Sequence, residues 1–269
     1  MIGLVALLVG CASAGPSRNV TRGDLLAEYT FADPMSFEQG AYEAVTLRVT
    51  TGVYRIEVRR GDNTLWWGQW GDTYDDVIIE VETEQITERN ENAYGVMCRV
   101  RGTVGQPRTV EPEMLAIMAE ATPEAESTAA AESTPEATAE ATTEGTPDVQ
   151  PTVSIPEIRA TAAPNEGDGY LFLIQGTGSA AIMRARGRAV TPLVNWTQHD
   201  AIRTGRAKNT LRAICAGDYL AFYVNDQLVA QTTDSTFRSG QVGLAASAAN
   251  PLGVRVEFDN LMIYRAQQG

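Results

Sequence analysis

The chain has 269 residues, 43% of them hydrophobic, with three cysteines, one histidine and a formal net charge of -13. A lone His199 and the lack of any C-x-x-C pair count against a zinc site built from His and Cys. No Gly-rich loop follows a strand and opens a helix, and no basic patch carries interleaved aromatics, which counts against nucleotides and nucleic acids as partners.

Residues 2–9 are apolar and end in Leu8-Val9-Gly10-Cys11, after which residues 13–19 turn polar and turn-like. An apolar run followed by small residues reads as an export signal. It is too short to span a bilayer, which needs about 20 apolar residues. The four residues ending at Cys11 resemble the lipobox of bacterial lipoproteins. That resemblance implies a signal peptide over residues 1–11, a lipid on the Cys11 thiol and an extracytoplasmic protein anchored at the cell membrane or surface. No Lys or Arg precedes the run, although export signals open with positive charge, so the true start is expected upstream. The alternative is a buried N-terminal strand with an incidental cysteine.

The first flank, residues 20–105, contains five or six strand-like runs. Residues 53–59 alternate apolar with polar and stop at Gly61-Asp62-Asn63; residues 77–82 are β-branched and apolar; residues 94–100 lead through Cys98. With Cys11 taken by lipid, Cys98 and Cys215 remain as an even pair, which an oxidising compartment would join. Two separately buried thiols are the alternative.

Residues 106–166 differ from everything around them. Twelve carboxylates face only Arg108 and Arg159, so ten of the thirteen net negative charges lie there, and the rest of the chain is nearly neutral. Thr122-Pro123-Glu124-Ala125 recurs as Thr134-Pro135-Glu136-Ala137, and aromatic residues are absent. Such a segment buries too little apolar surface to offset the entropy of ordering and is expected to be a disordered acidic insertion. Only residues 112–121, with Met114, Leu115, Ile117 and Met118, offer a short helix.

The second flank, residues 167–269, offers seven strand-like runs, among them residues 170–174, 211–215, 219–224, 227–230, 241–246, 254–258 and 261–264. Asn225-Asp226 between two of them marks a tight hairpin. Neither flank suffices alone, so the chain reads as one all-β domain interrupted by the insertion, a sandwich or jelly roll without helical periodicity.

Tyr94-Gly95-Val96 with Cys98-Arg99, Tyr170-Leu171-Phe172-Leu173-Ile174, Asn209-Thr210-Leu211-Arg212, Leu220 to Asn225, Gly240-Gln241-Val242-Gly243-Leu244 and Phe258-Asp259-Asn260 together resemble the concanavalin A-like lectin/glucanase jelly roll. Within it the likeness is to the 3-keto-disaccharide hydrolase-like, LamG-like domain of exported bacterial lipoproteins. The resemblance implies two antiparallel sheets and, by analogy alone, carbohydrate.

Three sets of residues carry candidate chemistry. Glu80, Glu82 and Glu84 alternate along one strand and share a face, as in the Glu-x-Asp-x-Glu of laminarinase-like glucanases; on that resemblance Glu80 is nucleophile, Glu84 general acid and Glu82 the helper. A solvated strand face is the plain alternative. Trp66, Trp67, Trp70 and Trp196 could stack against sugar faces, although adjacent Trp66 and Trp67 must point opposite ways, placing one in the core. His199 with Asp200 reads as loop chemistry, since no nucleophile motif accompanies it. No cofactor is indicated; calcium stays open without a residue pattern that points to it. The leading reading is an exported, lipid-anchored module for non-catalytic glycan or surface binding. The alternatives are a hydrolase of glycosides or 3-keto-disaccharides, and a structural module with an envelope protein as partner.

Overall fold

The computed structural model describes residues 17–102 and 167–269, apart from Glu43, Arg60, Asp62, Arg89, Asn90, Arg188, Asn250 and Pro251. Cys11, residues 106–166 and the helix expected at 112–121 therefore lie outside the described residues. Every regular element among the described residues is a strand, and all pairing is antiparallel.

A nine-stranded sheet contains β1 (Val20–Tyr29), β2 (Gly40–Ala41), β3 (Val45–Thr50), β4 (Val53–Val58), β6 (Val77–Gln85), β11 (Lys208–Ala216), β12 (Tyr219–Val224), β13 (Gln227–Thr233) and β15 (Val254–Gln268). Its order is β13-β12-β11-β6-β15-β4-β3-β2, with β1 also beside β15. A six-stranded sheet contains β5 (Leu65–Tyr74), β7 (Ala93–Arg101), β8 (Asp168–Gln175), β9 (Ser179–Arg186), β10 (Ala189–Gln198) and β14 (Gly240–Ser247), in the order β10-β9-β8-β7-β14-β5. The two sheets form the jelly-roll sandwich expected from the alternating patterns. Both take strands from each side of the insertion, which joins β7 to β8, neighbours in register from Ala93↔Gln175 to Arg101↔Asp168.

Alternation supplies the core. Tyr54, Ile56 and Val58 of β4, Ile79 and Val81 of β6, Val96 of β7, Phe172 of β8 and Phe222 of β12 all meet between the sheets. Trp66 joins them, and Trp70 packs against them. Gly68, between these two, is required by a neighbour: a Cβ there would lie 2.0 Å from the Tyr54 hydroxyl. Gly240 allows the close backbone approach anticipated for it, since a Cβ would meet the Arg99 carbonyl carbon at 2.3 Å. Asn225 and Asp226 both have positive φ, 48° and 66°, and turn β12 into β13 as a two-residue hairpin loop.

The runs at 254–258 and 261–264 are one strand. Asn260, at φ 50°, and the register shift between Asp259 and Met262 form a bulge inside β15, which keeps β6 on one edge while its other edge passes from β4 to β1. Five strands correspond to no run named above by its residues: β1, with polar Thr21, Arg22 and Asp24; two-residue β2; β3, whose Val45-Thr46-Leu47-Arg48-Val49-Thr50 alternates; β9, rich in alanine, a poor strand former; and β10, which contains Pro192. Ala-rich β9 is a strand because the sheet buries both its faces, a tertiary effect that overrides propensity.

The expected bridge is present: Cys98 and Cys215 are disulfide-bonded with Cα atoms 6.8 Å apart, joining β7 of one sheet to β11 of the other. It lies toward one end of the sandwich. At that end sit the β5–β6 turn, Gly217 between β11 and β12, the departure of the insertion after β7 and both ends of the described chain, where Gly269 N–H donates to Asn19 O at 3.1 Å.

Candidate functional site

The outer face of the six-stranded sheet, turned away from the other sheet, carries Trp67, Met97, Leu171, Leu173 and Ala245 as a second apolar cluster. Toward the end of the sandwich opposite the disulfide this face holds a groove of about 210 Å³ to which all six strands contribute. Leu65 of β5, Ser247 of β14, Ala93 of β7 and Gln175 of β8 stand in one cross-strand row, because Ser247 pairs with both Leu65 and Ala93 and Ala93 pairs with Gln175. Leu173, Met183 of β9, and Val190 and Trp196 of β10 continue the lining, with Asn63, Glu91 and Ala249 from loops.

Trp196 reaches the groove because β10 is an irregular edge strand. Register shifts between Pro192 and Val194 and between Val194 and Thr197 let Leu193 and Val194 pack on the core while Trp196 stays 36% exposed. Pro192 is tolerated there since an edge strand has one side without ladder bonds. Gln175 is held by its own Nε2–H donating to Glu91 O at 3.3 Å and by the Thr177 hydroxyl donating to its Oε1 at 3.4 Å. An indole face beside amide, hydroxyl and carboxylate groups can bind a ligand with alternating apolar and hydroxylated surfaces.

The other tryptophans have packing roles. Trp66 and Trp67 do point opposite ways: Trp66 is 8% exposed in the inter-sheet core, and Trp67 is 2% exposed on the outer face. The Trp67 Nε1–H donates to Gln69 Oε1 at 3.2 Å, the Gln69 Nε2–H to Gln241 Oε1 at 2.7 Å and the Gln241 Nε2–H to Gly71 O at 2.7 Å. Of the four, Trp196 alone lines the groove among the described residues.

Glu80, Glu82 and Glu84 share one face, as alternation requires, but it is the outer face of the nine-stranded sheet, on the opposite side of the sandwich from the groove. Glu80 is ion-paired with Arg22 and lies 3.9 Å from Arg212, its partner across β11; Glu84 lies 3.6 Å from Lys208. Glu82 and Glu84 border a depression of about 50 Å³ with Lys208, Glu257 and Asp259. The groove beside Trp196, at about 210 Å³, is the larger of the two. Arginine on both sides suits a solvated ion-pair ladder such as Arg55 with Glu257 at 2.5 Å and Arg255 with Glu57 at 3.2 Å on the same face. His199 forms a turn, its N–H donating to Gly178 O and its carbonyl accepting from Ile202 N–H. Among the described residues no group of three or more His, Cys, Asp or Glu is placed to hold a metal ion. Shifted tyrosines mark the core: burial pushes Tyr94 up to about 12 and Tyr54 well above its usual value.

No family model and no curated protein matches the sequence. Solved structures do match by shape. A Bacillus subtilis protein of unknown function with a galectin-like fold superposes with a TM-score of 0.55 at 9% identity, covering 93% of this chain and all of that one. The fold is that of the concanavalin A-like jelly rolls. The kappa-carrageenase of Pseudoalteromonas carrageenovora, solved with an oligotetrasaccharide of kappa-carrageenan, superposes with a TM-score of 0.50 at 10% identity, covering 96% and 100% of the two chains. At such identities the jelly-roll likeness concerns architecture alone. Sequence reasoning missed Gln175, Met183, Val190 and Ser247 as groove residues. They come from four strands, and only non-local pairing brings them together.

Proposed function

We propose that the protein is an exported, lipid-anchored module that binds glycans without cleaving them, through the groove beside Trp196. The observation that carries this reading is the groove's composition: an exposed indole, amide and hydroxyl groups, and Glu91 as the one carboxylate among the described lining residues. Glycoside hydrolysis ordinarily needs two carboxyl groups, about 5 to 5.5 Å apart for retention and about 6.5 to 9.5 Å for inversion. The oligosaccharide held by kappa-carrageenase supports a saccharide ligand by analogy of fold.

Glycan-array binding, with hydrolase assays on the same preparation, tests the reading. Trp196→Ala is expected to weaken binding about tenfold or more, the equivalent of about 1.4 kcal/mol for a lost stacking contact. Glu80→Gln, on the far side of the sandwich, should leave affinity unchanged. Wild-type binding by the Trp196→Ala protein would remove the groove from the proposal, and release of reducing sugar would replace binding with hydrolysis.

Anchoring rests on the lipobox-like residues before Cys11. Cys11→Ser is expected to free the protein from membranes or leave it unprocessed, read by fractionation and by mass spectrometry of the N-terminus. An unlipidated wild-type N-terminus, with membrane fractionation unaltered by the substitution, would overturn this part.

A further inference from the structure

The outer face of the nine-stranded sheet breaks a pairing rule at its rim. Thr46, Arg48 and Thr50 of β3 turn outward, since Val45 and Leu47 are buried in the core. Arg48 stands directly opposite Arg55 of β4, and Glu257 of β15 stands opposite Arg55 on its other side. Like charges directly opposite each other on neighbouring strands are destabilising. Arg55 is already engaged, its Nε–H and Nη2–H both donating to Glu257 Oε1, at 2.9 and 2.5 Å. Glu57, diagonal to Arg48, accepts from Arg255 Nη2 at 3.2 Å. Further along the same row, Glu84 lies 3.6 Å from Lys208. These pairings leave Arg48 without a hydrogen-bond or ion-pair partner among the described residues, and its Nε is buried without an acceptor, as is that of Arg255.

Arg48, Arg55 and Arg255 thus meet Glu57 and Glu257, both carboxylates are taken, and one positive charge is left over. Burial and then the charge of Arg55 pull the Arg48 pKa down from the usual arginine value; Glu57 opposes that shift and Arg255 adds to it. β2 covers β3 only at Leu47 and Thr46, so half-buried Arg48 stands at an open rim. Unrelieved conflicts of this kind are tolerated at functional sites, where a ligand supplies the missing charge. We propose that Arg48, with Arg55 and Arg255 beside it, is a binding site for a monoanionic oxyanion, a carboxylate or a sulfate ester. The planar fork of arginine fits such groups through paired N–H···O bonds. One excess positive charge matches one negative charge, whereas a phosphate monoester carries about 1.5 to 2 at neutral pH. An anion held between Arg48 and its neighbours turns a repulsive pair into a bridged one. The site lies on the opposite side of the sandwich from the Trp196 groove and stands independently of the glycan-binding reading.

The test follows the arginine Nε–H resonances of the isotope-labelled full chain by NMR. Sodium galacturonate, the sodium salt of a galactose monosulfate and neutral galactose are titrated in at constant ionic strength; the probes share a sugar ring and differ in charge. Saturating shifts of the Arg48 and Arg255 Nε–H signals are expected with at least one of the anions, and none with galactose. Saturation by galacturonate alone assigns a carboxylate, by the monosulfate alone a sulfate ester. Arg48→Met, which keeps the apolar stem and removes the charge, is expected to weaken binding about tenfold or more, read on the Arg255 signal. Arg184 of β9, ion-paired with Asp234, should stay unmoved throughout. Without ligand, Arg48→Met should leave the melting temperature unchanged or raise it, because it removes the repulsion from Arg55. Shifts that do not saturate, equal shifts with galactose, wild-type affinity in Arg48→Met or a lowered melting temperature would each overturn the site. Trp196→Ala should leave the titration unchanged, so failure of this site is told apart from failure of the groove.

Discussion

Replacing Arg99 with methionine is expected to lower the free energy of unfolding by about 3 to 5 kcal/mol, the range for breaking a buried charged network from one side. Arg99 is 1% exposed, has φ 54° and sits in the bulge between Cys98 and Arg101 of β7. Its Nε–H donates to Asp75 O at 3.1 Å, its Nη1 to the carbonyls of Gly217 and Phe237, both at 2.8 Å, and its Nη2 to Asp76 Oδ1 at 3.0 Å. One guanidinium thus ties together the β5–β6 turn, the β11–β12 turn and the loop before β14. Burial pulls its pKa down from the usual arginine value while Asp76 opposes that shift. Methionine fills much of the volume but leaves the carbonyls without donors, at about 1 to 3 kcal/mol each where no water replaces the bond. Arg99→Lys should fall between wild type and Arg99→Met, since an ammonium lacks the planar fork that reaches partners on several sides. Urea unfolding at constant m-value provides the measurement. A loss below about 1 kcal/mol would show that the three carbonyls find other donors.

Removing the disulfide by Cys98→Ala with Cys215→Ala should cost about 2 to 5 kcal/mol, the range for a native bridge in a secreted domain. The bridge closes a sequence separation of 117 residues that includes the whole insertion, and on the chain-entropy model a loop of that size contributes about 4 to 5 kcal/mol. Denaturation with and without reductant reads the same quantity. Cys98 is adjacent to Arg99, and both bind the end of β7 to the end of β11, so the two losses are not expected to add. A triple substitution should cost less than the sum, because once either tie is cut the β7 end frays and the other tie loses part of its value. Strict additivity would show the two to be independent supports.

Several elements were legible from local pattern. The runs at 53–59, 77–82 and 219–224 became β4, β6 and β12 with starts at Val53, Val77 and Tyr219, because all three are rich in β-branched or aromatic residues; β12 stops at Asn225-Asp226, while β6 runs past the expected end to Gln85. The disulfide was legible from the even pair of cysteines left once Cys11 is assigned to a lipid and an oxidising compartment is expected, the hairpin from Asn225-Asp226, and the opposition of Trp66 and Trp67 from the two-residue period. The same period put Glu80, Glu82 and Glu84 on one face. It could not say which face. Alternation states only that residues share a side of a strand; whether that side meets the core, an arginine ladder or a groove depends on the neighbouring strands. Lys208 and Arg212 across from Glu84 and Glu80 come from more than 120 positions away in sequence, and Ser247 meets Ala93 only because β14 pairs with β7. Chemistry along each strand was written in the sequence, while the grouping of strands into sheets, and with it the site, was decided by long-range pairing that buries one face of each.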